Sequence, residues 1–175
     1  MVDSVTTLTC DHASYSENLD LLFIQGNVKL VDKDSEIRAP SGTYDRRSGR
    51  AELAGPVEGR DKKMVLYADR AVYLRDSSVM LAREHVRGID QENKTELEAR
   101  AVDYDRVRKV VVGTGDPVLR SRGDDGRITE LRALRLVVDT GRRVAEAIDS
   151  VRISRDTLQA RGDHAVFGCA DSLDH

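Results

Sequence analysis

The sequence has no tryptophan, and aromatics make up only 4% of its 175 residues. A core built around large rings is therefore excluded, and aliphatic side chains must do the packing. Only three prolines and two cysteines are present. Cys10 and Cys169 stand at opposite ends of the chain and are too few for a disulfide framework. There is no basic excess: 28 Lys and Arg face 31 Asp and Glu, a net charge of −3. General nucleic-acid binding, which is driven by positive charge, is excluded. No apolar run approaches the roughly 18 residues of a membrane-spanning helix. The longest, LDLLFI (19–24), contains Asp20. The opening MVDSVTTLTC lacks the basic start and apolar stretch of a secretion leader. The chain is expected to be either a native cytoplasmic protein or a mature segment behind an added Met1. Its ending, ADSLDH, carries no helix or cap signal and reads as a cut inside a longer protein.

What is present is regular. An Asp stands two residues before an Ala and four before an aromatic three times, at Asp11, Asp69 and Asp163. Aligning the aromatic gives Tyr15, Tyr44, Tyr73 and Tyr104, then Val138 and Phe167. An opening valine recurs at Val28, Val57, Val86, Val118 and Val151. Between them lies an aliphatic-x-Ala marker: IRA (37–39), LYA (66–68), LEA (97–99), LRA (131–133) and LQA (158–160). Three markers in fixed order, five times, define a repeat of about 30 residues. The whole chain, 1–175, reads as a single repeat domain.

Each copy reads as strands. In GNVKLVD, Val28 and Leu30 share one side and Asn27 and Lys29 the other. Turn clusters separate the strands at 32–35, 45–49, 75–78, 123–126 and 139–143. Pro56 and Pro117 precede opening valines, where a strand starts without needing an N–H. The stretch 93–109 has helix-like composition but aligns with the strands around it, so it is predicted as strand. Strands aliphatic on one side and charged on the other must fold over to cover the aliphatic side. With a small Ala recurring inside and few rings to plug the space, the interior is expected to stay a groove.

The run GNVKLVD…EIRAPSGTYDRRSGRAELAGPV resembles the OstA-like repeat of the lipopolysaccharide-transport proteins LptA, LptC and the N-terminal domain of LptD. The likeness lies in the Gly-x-Val openings at Gly26 and Gly55 and in Tyr44-Asp45 and Tyr104-Asp105, and it extends over roughly residues 8 to 167. Glu84 stands where a third Gly is expected, and Val138 where a Tyr is. The resemblance implies an all-β, V-shaped antiparallel β-jellyroll in the periplasm. Its groove would shield the acyl chains of lipopolysaccharide, and protomers and LptC-like or LptD-like partners would join through open edge strands, bridging inner to outer membrane. No catalytic residue, metal or cofactor is implied. The alternative is a structural β-repeat module that binds protein or polysaccharide without carrying lipid.

The candidate groove residues are the inner-face markers Val28, Leu30, Ile37, Ala39, Leu53, Val57, Leu66, Ala68, Tyr73 and Val86. Leu97, Ala99, Val118, Leu131, Ala133, Val151, Ile153, Leu158, Ala160 and Phe167 continue the set. Arginines after the aromatic marker, Arg46, Arg47, Arg106, Arg142 and Arg143, form a candidate rim for lipid A phosphates.

Several short motifs are set aside. LVVDTGRR (136–143) resembles an aspartic-protease signature, but such chemistry needs two carboxylates, and Asp139 aligns with the repeat-turn residues Asp45 and Asp105. In RGD (161–163) the Asp is the repeat Asp, and GTGD (113–116) lacks the last Gly of a dinucleotide loop. His12 and His164 occupy matching places in the first and last copies, too far apart to share a metal. The same geometry forbids a bond between Cys10 and Cys169 within one molecule and leaves only a head-to-tail intermolecular one.

Overall fold

Apolar residues alternating with charged ones leave each segment one way to bury its aliphatics, as a strand with one face turned inward. The computed structural model describes residues 6–32 and 34–168. It contains β1 (Thr7–Thr9), β2 (His12–Ser16), β3 (Leu21–Asp32), β4 (Ser35–Asp45), β5 (Arg50–Arg60), β6 (Met64–Leu74) and β7 (Val79–Asp90). There follow β8 (Thr95–Asp105), β9 (Val110–Thr114), β10 (Val118–Arg122), β11 (Ile128–Arg132), β12 (Arg135–Asp139), β13 (Val144–Arg155) and β14 (Leu158–Gly168). Among the described residues there is no helix, and 93–109 is strand β8 with turn residues on either side.

All fourteen strands belong to one antiparallel sheet. The register shows a simpler plan. The pairs β1–β2, β9–β10 and β11–β12 are each two halves of one strand, because both halves pair with the same neighbour: β1 and β2 with β3, β9 and β10 with β8, β11 and β12 with β13. Every strand is thus a bent ribbon following its predecessor in chain order. The bends coincide. Register shifts fall between Gln25 and Val28, Ala54 and Val57, Tyr67 and Arg70, Arg83 and Val86, and Ile148 and Val151. A line of β-bulges folds the sheet along one crease into two arms.

The bulges need left-handed backbone, and the sequence supplies it at fixed intervals. Gly26 has φ 76° and Gly55 φ 91°. A Cβ on Gly55 would lie 2.7 Å from the Pro40 ring, so space as well as backbone demands glycine there. At the third crease Glu84 and His85 adopt φ 63° and 46° without glycine. The missing Gly-x-Val glycine leaves the strand intact but places a non-glycine residue in a sparsely populated region.

One arm carries Val28, Val57, Val86 and Val151 and is called here the valine arm; the other, carrying Tyr44, Tyr73 and Tyr104, is the tyrosine arm. Their inner faces meet in one apolar cluster that includes Leu30, Leu53, Leu119, Leu131, Leu136 and Ala145, all 3% exposed or less. The outer face of the valine arm is a charge ladder: Lys29 to Glu36 at 2.7 Å, Arg87 to Glu96 at 2.6 Å, and Arg120 to both Glu98 and Glu130 at 3.0 Å. Exposed pairs of this kind add little stability each. They keep the outer face wet and so fix which side folds inward.

Candidate functional site

The space between the arms is where the site lies. Across the valine arm one inner row reads Leu8, Leu30, Ile37, Gly59, Leu66, Gly88, Leu97, Leu119, Leu131, Ile153, Ala160 in successive strands. Two glycines flank Leu66 in this otherwise aliphatic row. Above them runs an almost wholly apolar crevice bounded by Ile37, Leu66, Leu97 and Leu119 on one arm and Met80, Val102 and Val111 on the other. It encloses about 70 Å³. That is room for several waters or a short length of alkyl chain, and not for a bundle of acyl chains.

The recurring alanines do not create this space. Ala39 and Ala68 sit beside the crease, 6% and 5% exposed, and form its closed floor. Gly88 opens it, two residues after Val86, where Val28 is followed by Leu30; over the equivalent Gly59 the Met80 side chain packs, with its Sδ and Cε 3.2 Å from where a Cβ would stand. A Cβ on Gly88 would meet only Leu66, at 3.4 Å, an ordinary contact, so nothing but the void calls for glycine there. The interval of 29 residues between Gly59 and Gly88 was legible; its meaning needed the facing arm.

Of the predicted groove residues, Ile37, Leu66, Tyr73 and Leu97 line the crevice. Val28, Leu30, Ala39, Leu53, Val57 and Ala68 are packed core, as are Val86, Leu131, Ala133 and Val151. Ala99, Ile153 and Phe167 are half-buried against that core. Leu158 and Ala160, on β14, are exposed. Two assignments change with the register. Val118 pairs with Glu98 and Arg132 on the outer side of the valine arm, so it is not an inner-face residue. Pro117 holds the inner place, and Leu119 is the next inward residue. The signal was there: the aromatic marker precedes the opening residue by 13 positions in Tyr15–Val28, Tyr44–Val57, Tyr73–Val86 and Val138–Val151, and from Tyr104 that count reaches Pro117. Likewise Gly162, and not Ala160, pairs with Val151. The LQA marker is displaced by two.

At the free margins of the arms, the lips of the fold, polar groups gather. The predicted arginine rim lies on the tyrosine-arm lip, in the turns after β4, β8 and β12, but the arginines are not equivalent. Arg106 and Arg143 border the crevice. Arg46, Arg47 and Arg142 are exposed, Arg47 being paired with Asp20 and Arg142 with Asp139 at 3.6 Å. The repeat-turn aspartates act locally: Asp45 accepts the Arg47 and Ser48 N–H groups, and Asp139 those of Gly141 and Arg142. That is turn capping, as the alignment of Asp139 with Asp45 and Asp105 predicted.

Two tyrosines cross between the lips, which the sequence did not reveal. Tyr73 donates its hydroxyl hydrogen bond to Asp32 Oδ2 at 2.7 Å, and Arg106 Nη1 lies 3.6 Å from the same oxygen. Asp32 is 5% exposed, and its Oδ1 has no partner among the described residues. Tyr104 reaches Asp61 Oδ2 at 3.4 Å. Burial, followed by the hydrogen bond to the Asp32 carboxylate, pushes the Tyr73 phenol up to about 12. Burial, followed by the charge of Asp61, does the same to Tyr104. Asp32 had read as part of a turn; it is the inward last residue of β3.

His12 and His164 lie on the first and last bent strands. Cys10, half-buried, is on the first. Cys169, and with it the intermolecular disulfide, lies outside the described residues. Among the described residues, the edges formed by β1–β2 and by β14 each pair on one side only.

No family model matches the sequence, and no curated protein does. Among solved structures the chain is similar to LptH of Pseudomonas aeruginosa, described as the LptA-homologous periplasmic component of the lipopolysaccharide transport device. The TM-score is 0.58 at 14% identity, over 65% of this chain and 84% of that one. The fold is the β-jellyroll of LptA, in agreement with the repeat resemblance read from the sequence.

Proposed function

We propose, from the premise of an LptA-type jellyroll, that the protein is a non-enzymatic periplasmic carrier that shields acyl chains of lipopolysaccharide between its two arms. One observation carries this reading: the space between the arms is lined by apolar side chains, is kept open at Gly88, and ends at a polar lip. Each CH₂ withdrawn from water contributes about 0.8 kcal/mol, so chains supply the driving force without chemistry. Because the closed crevice holds only about 70 Å³, the arms part to admit them. Arg106 and Arg143 are the rim residues placed to meet a headgroup phosphate at the mouth.

The two one-sided edges support end-to-end joining, to further copies or to LptC-like and LptD-like partners, which would bridge inner and outer membrane. β14 is 11 residues long and carries Leu158 and Val166, 68% and 66% exposed. Molar mass by light scattering should rise with protein concentration; a constant monomer mass would remove self-joining.

The small volume of the crevice favours a second reading, a β-repeat module that binds protein or polysaccharide and carries no lipid. Photo-crosslinking separates the two. A photoreactive residue at Leu66 or Leu97 should capture labelled lipopolysaccharide, and one at Arg87 on the outer face should not. Gly88→Val, whose Cβ would meet only Leu66 at 3.4 Å, should fill the crevice and abolish capture while leaving the circular dichroism unchanged. Equal capture on both faces, or none, decides for the module.

A further inference from the structure

The lips carry a repeating pair of groups whose third copy is broken. On the valine-arm lip stand Asp32, Asp61 and Asp90, each four residues after Val28, Val57 and Val86. On the tyrosine-arm lip stand Tyr73, Tyr104 and Val138. Tyr73 holds Asp32 and Tyr104 holds Asp61 across the gap. Val138 has no hydroxyl to offer, and Asp90 Oδ2 instead accepts the Asn93 side-chain amide of its own turn at 2.7 Å. There the lips are joined by Arg143 Nη2 and Glu92 Oε1 at 3.6 Å, a pair with both side chains more than 40% exposed. Asp90 and Val138 both border the crevice.

We infer that the two tyrosine–aspartate contacts are latches that hold the arms shut over the first repeats, and that the missing latch at Val138 and Asp90 is the gate through which an alkyl chain passes between the lips. The inference rests on the carrier reading and adds to it where the chain is admitted. Parting the lips at Asp32 strips a buried carboxylate, one of whose oxygens has no partner among the described residues, of its hydroxyl donor, and that is expensive. Parting them at Asp90 breaks one solvated ion pair, which is cheap. The apolar Val138 also gives a passing chain a surface it does not have to dehydrate.

The test uses the full chain with Cys10 and Cys169 replaced by serine. Nitroxide pairs at Lys62 and Arg108 span a latched segment, and pairs at Gln91 and Arg142 span the gate. Pulsed EPR should give a narrow distance distribution for the first pair and a broad one for the second. Val138→Tyr supplies the absent hydroxyl opposite Asp90. It should narrow the gate distribution and slow stopped-flow uptake of cis-parinaric acid about fivefold or more, the size expected for one added hydrogen bond. Tyr104→Phe, which adds no volume, should broaden the Lys62–Arg108 distribution and speed uptake. Equal distributions at the two segments, or uptake indifferent to both substitutions, overturn the gate. A protein that takes up no probe overturns the carrier reading instead, and the distances then decide the latches by themselves.

Discussion

The first seven bent strands and the last four are built from the same repeat and closed by different means. From β3 to β8 each strand runs 11 or 12 residues through the crease, and tyrosines tie one lip to the other. Beyond β8 two strands break at the crease, at Gly115–Pro117 and Ala133–Leu134, and the cross-lip hydroxyl disappears with Val138. The apolar faces hardly differ: Leu53 and Leu136 are 3% and 0% exposed. The hydrophobic effect, being non-directional, folds both regions over. What distinguishes a bolted region from an openable one is a few polar groups at the rim.

Four outcomes sharpen or break that comparison. The largest concerns what the regions share. Leu136→Ala in the last strands and Leu53→Ala in the first should each cost about 2–5 kcal/mol. Chemical denaturation measures both, and a Leu136 cost under about 1 kcal/mol would mean that the C-terminal interior is loosely packed. Next, Tyr73→Phe should destabilise by about 1.5–3 kcal/mol, the worth of a hydrogen bond to a buried charge. Arg143→Gln on the unlatched side, which removes only the solvated pair with Glu92, should change stability by less than about 0.5 kcal/mol. Similar losses at the two sites would erase the distinction.

The third outcome is a pH effect confined to the latched region. The Tyr73 phenol titrates near 12 when folded and near 10 when unfolded, so the folded form holds the proton more tightly. Its contribution is complete below pH 10 and is lost as pH rises through about 12. The loss is about 1–3 kcal/mol, read from urea midpoints across that window, and Tyr73→Phe should flatten the slope. The smallest effect is a gain. Glu84→Gly relieves a left-handed non-glycine residue at the crease and should stabilise by about 1 kcal/mol, even though it removes the exposed pair with Arg70. A lower melting temperature would show that the Arg70 pair outweighs the backbone.

Much of the fold was readable before any coordinate. The spacing of Tyr44, Tyr73 and Tyr104 gave the repeat and Gly26 and Gly55 its openings, while their places on one arm and at the crease come from the strand register. Where two segments had to be compared across space, the reading slipped. Val118 reads as an opening residue because it is a valine in nearly the right place, but only pairing partners tell inside from outside at a break in the strand, and a shift of one residue reverses the two. Asp32 looked like turn material because its neighbours are polar. Gly88 gives no signal in the sequence, because a glycine in a strand announces itself only by what fails to fill the space above it.

By itself the sequence determined the repeat and the strands, because a period of two and an interval of 29 are properties of a chain read locally; the inward face of a broken strand such as the one holding Val118 waited for its pairing. Which tyrosine meets which aspartate was decided by the tertiary structure alone. Tyr73 and Asp32 are 41 residues apart, and Tyr104 and Asp61 are 43. Contacts so distant along the chain exist only once the crease has brought two lips together, and no local pattern encodes how closely a folded sheet shuts.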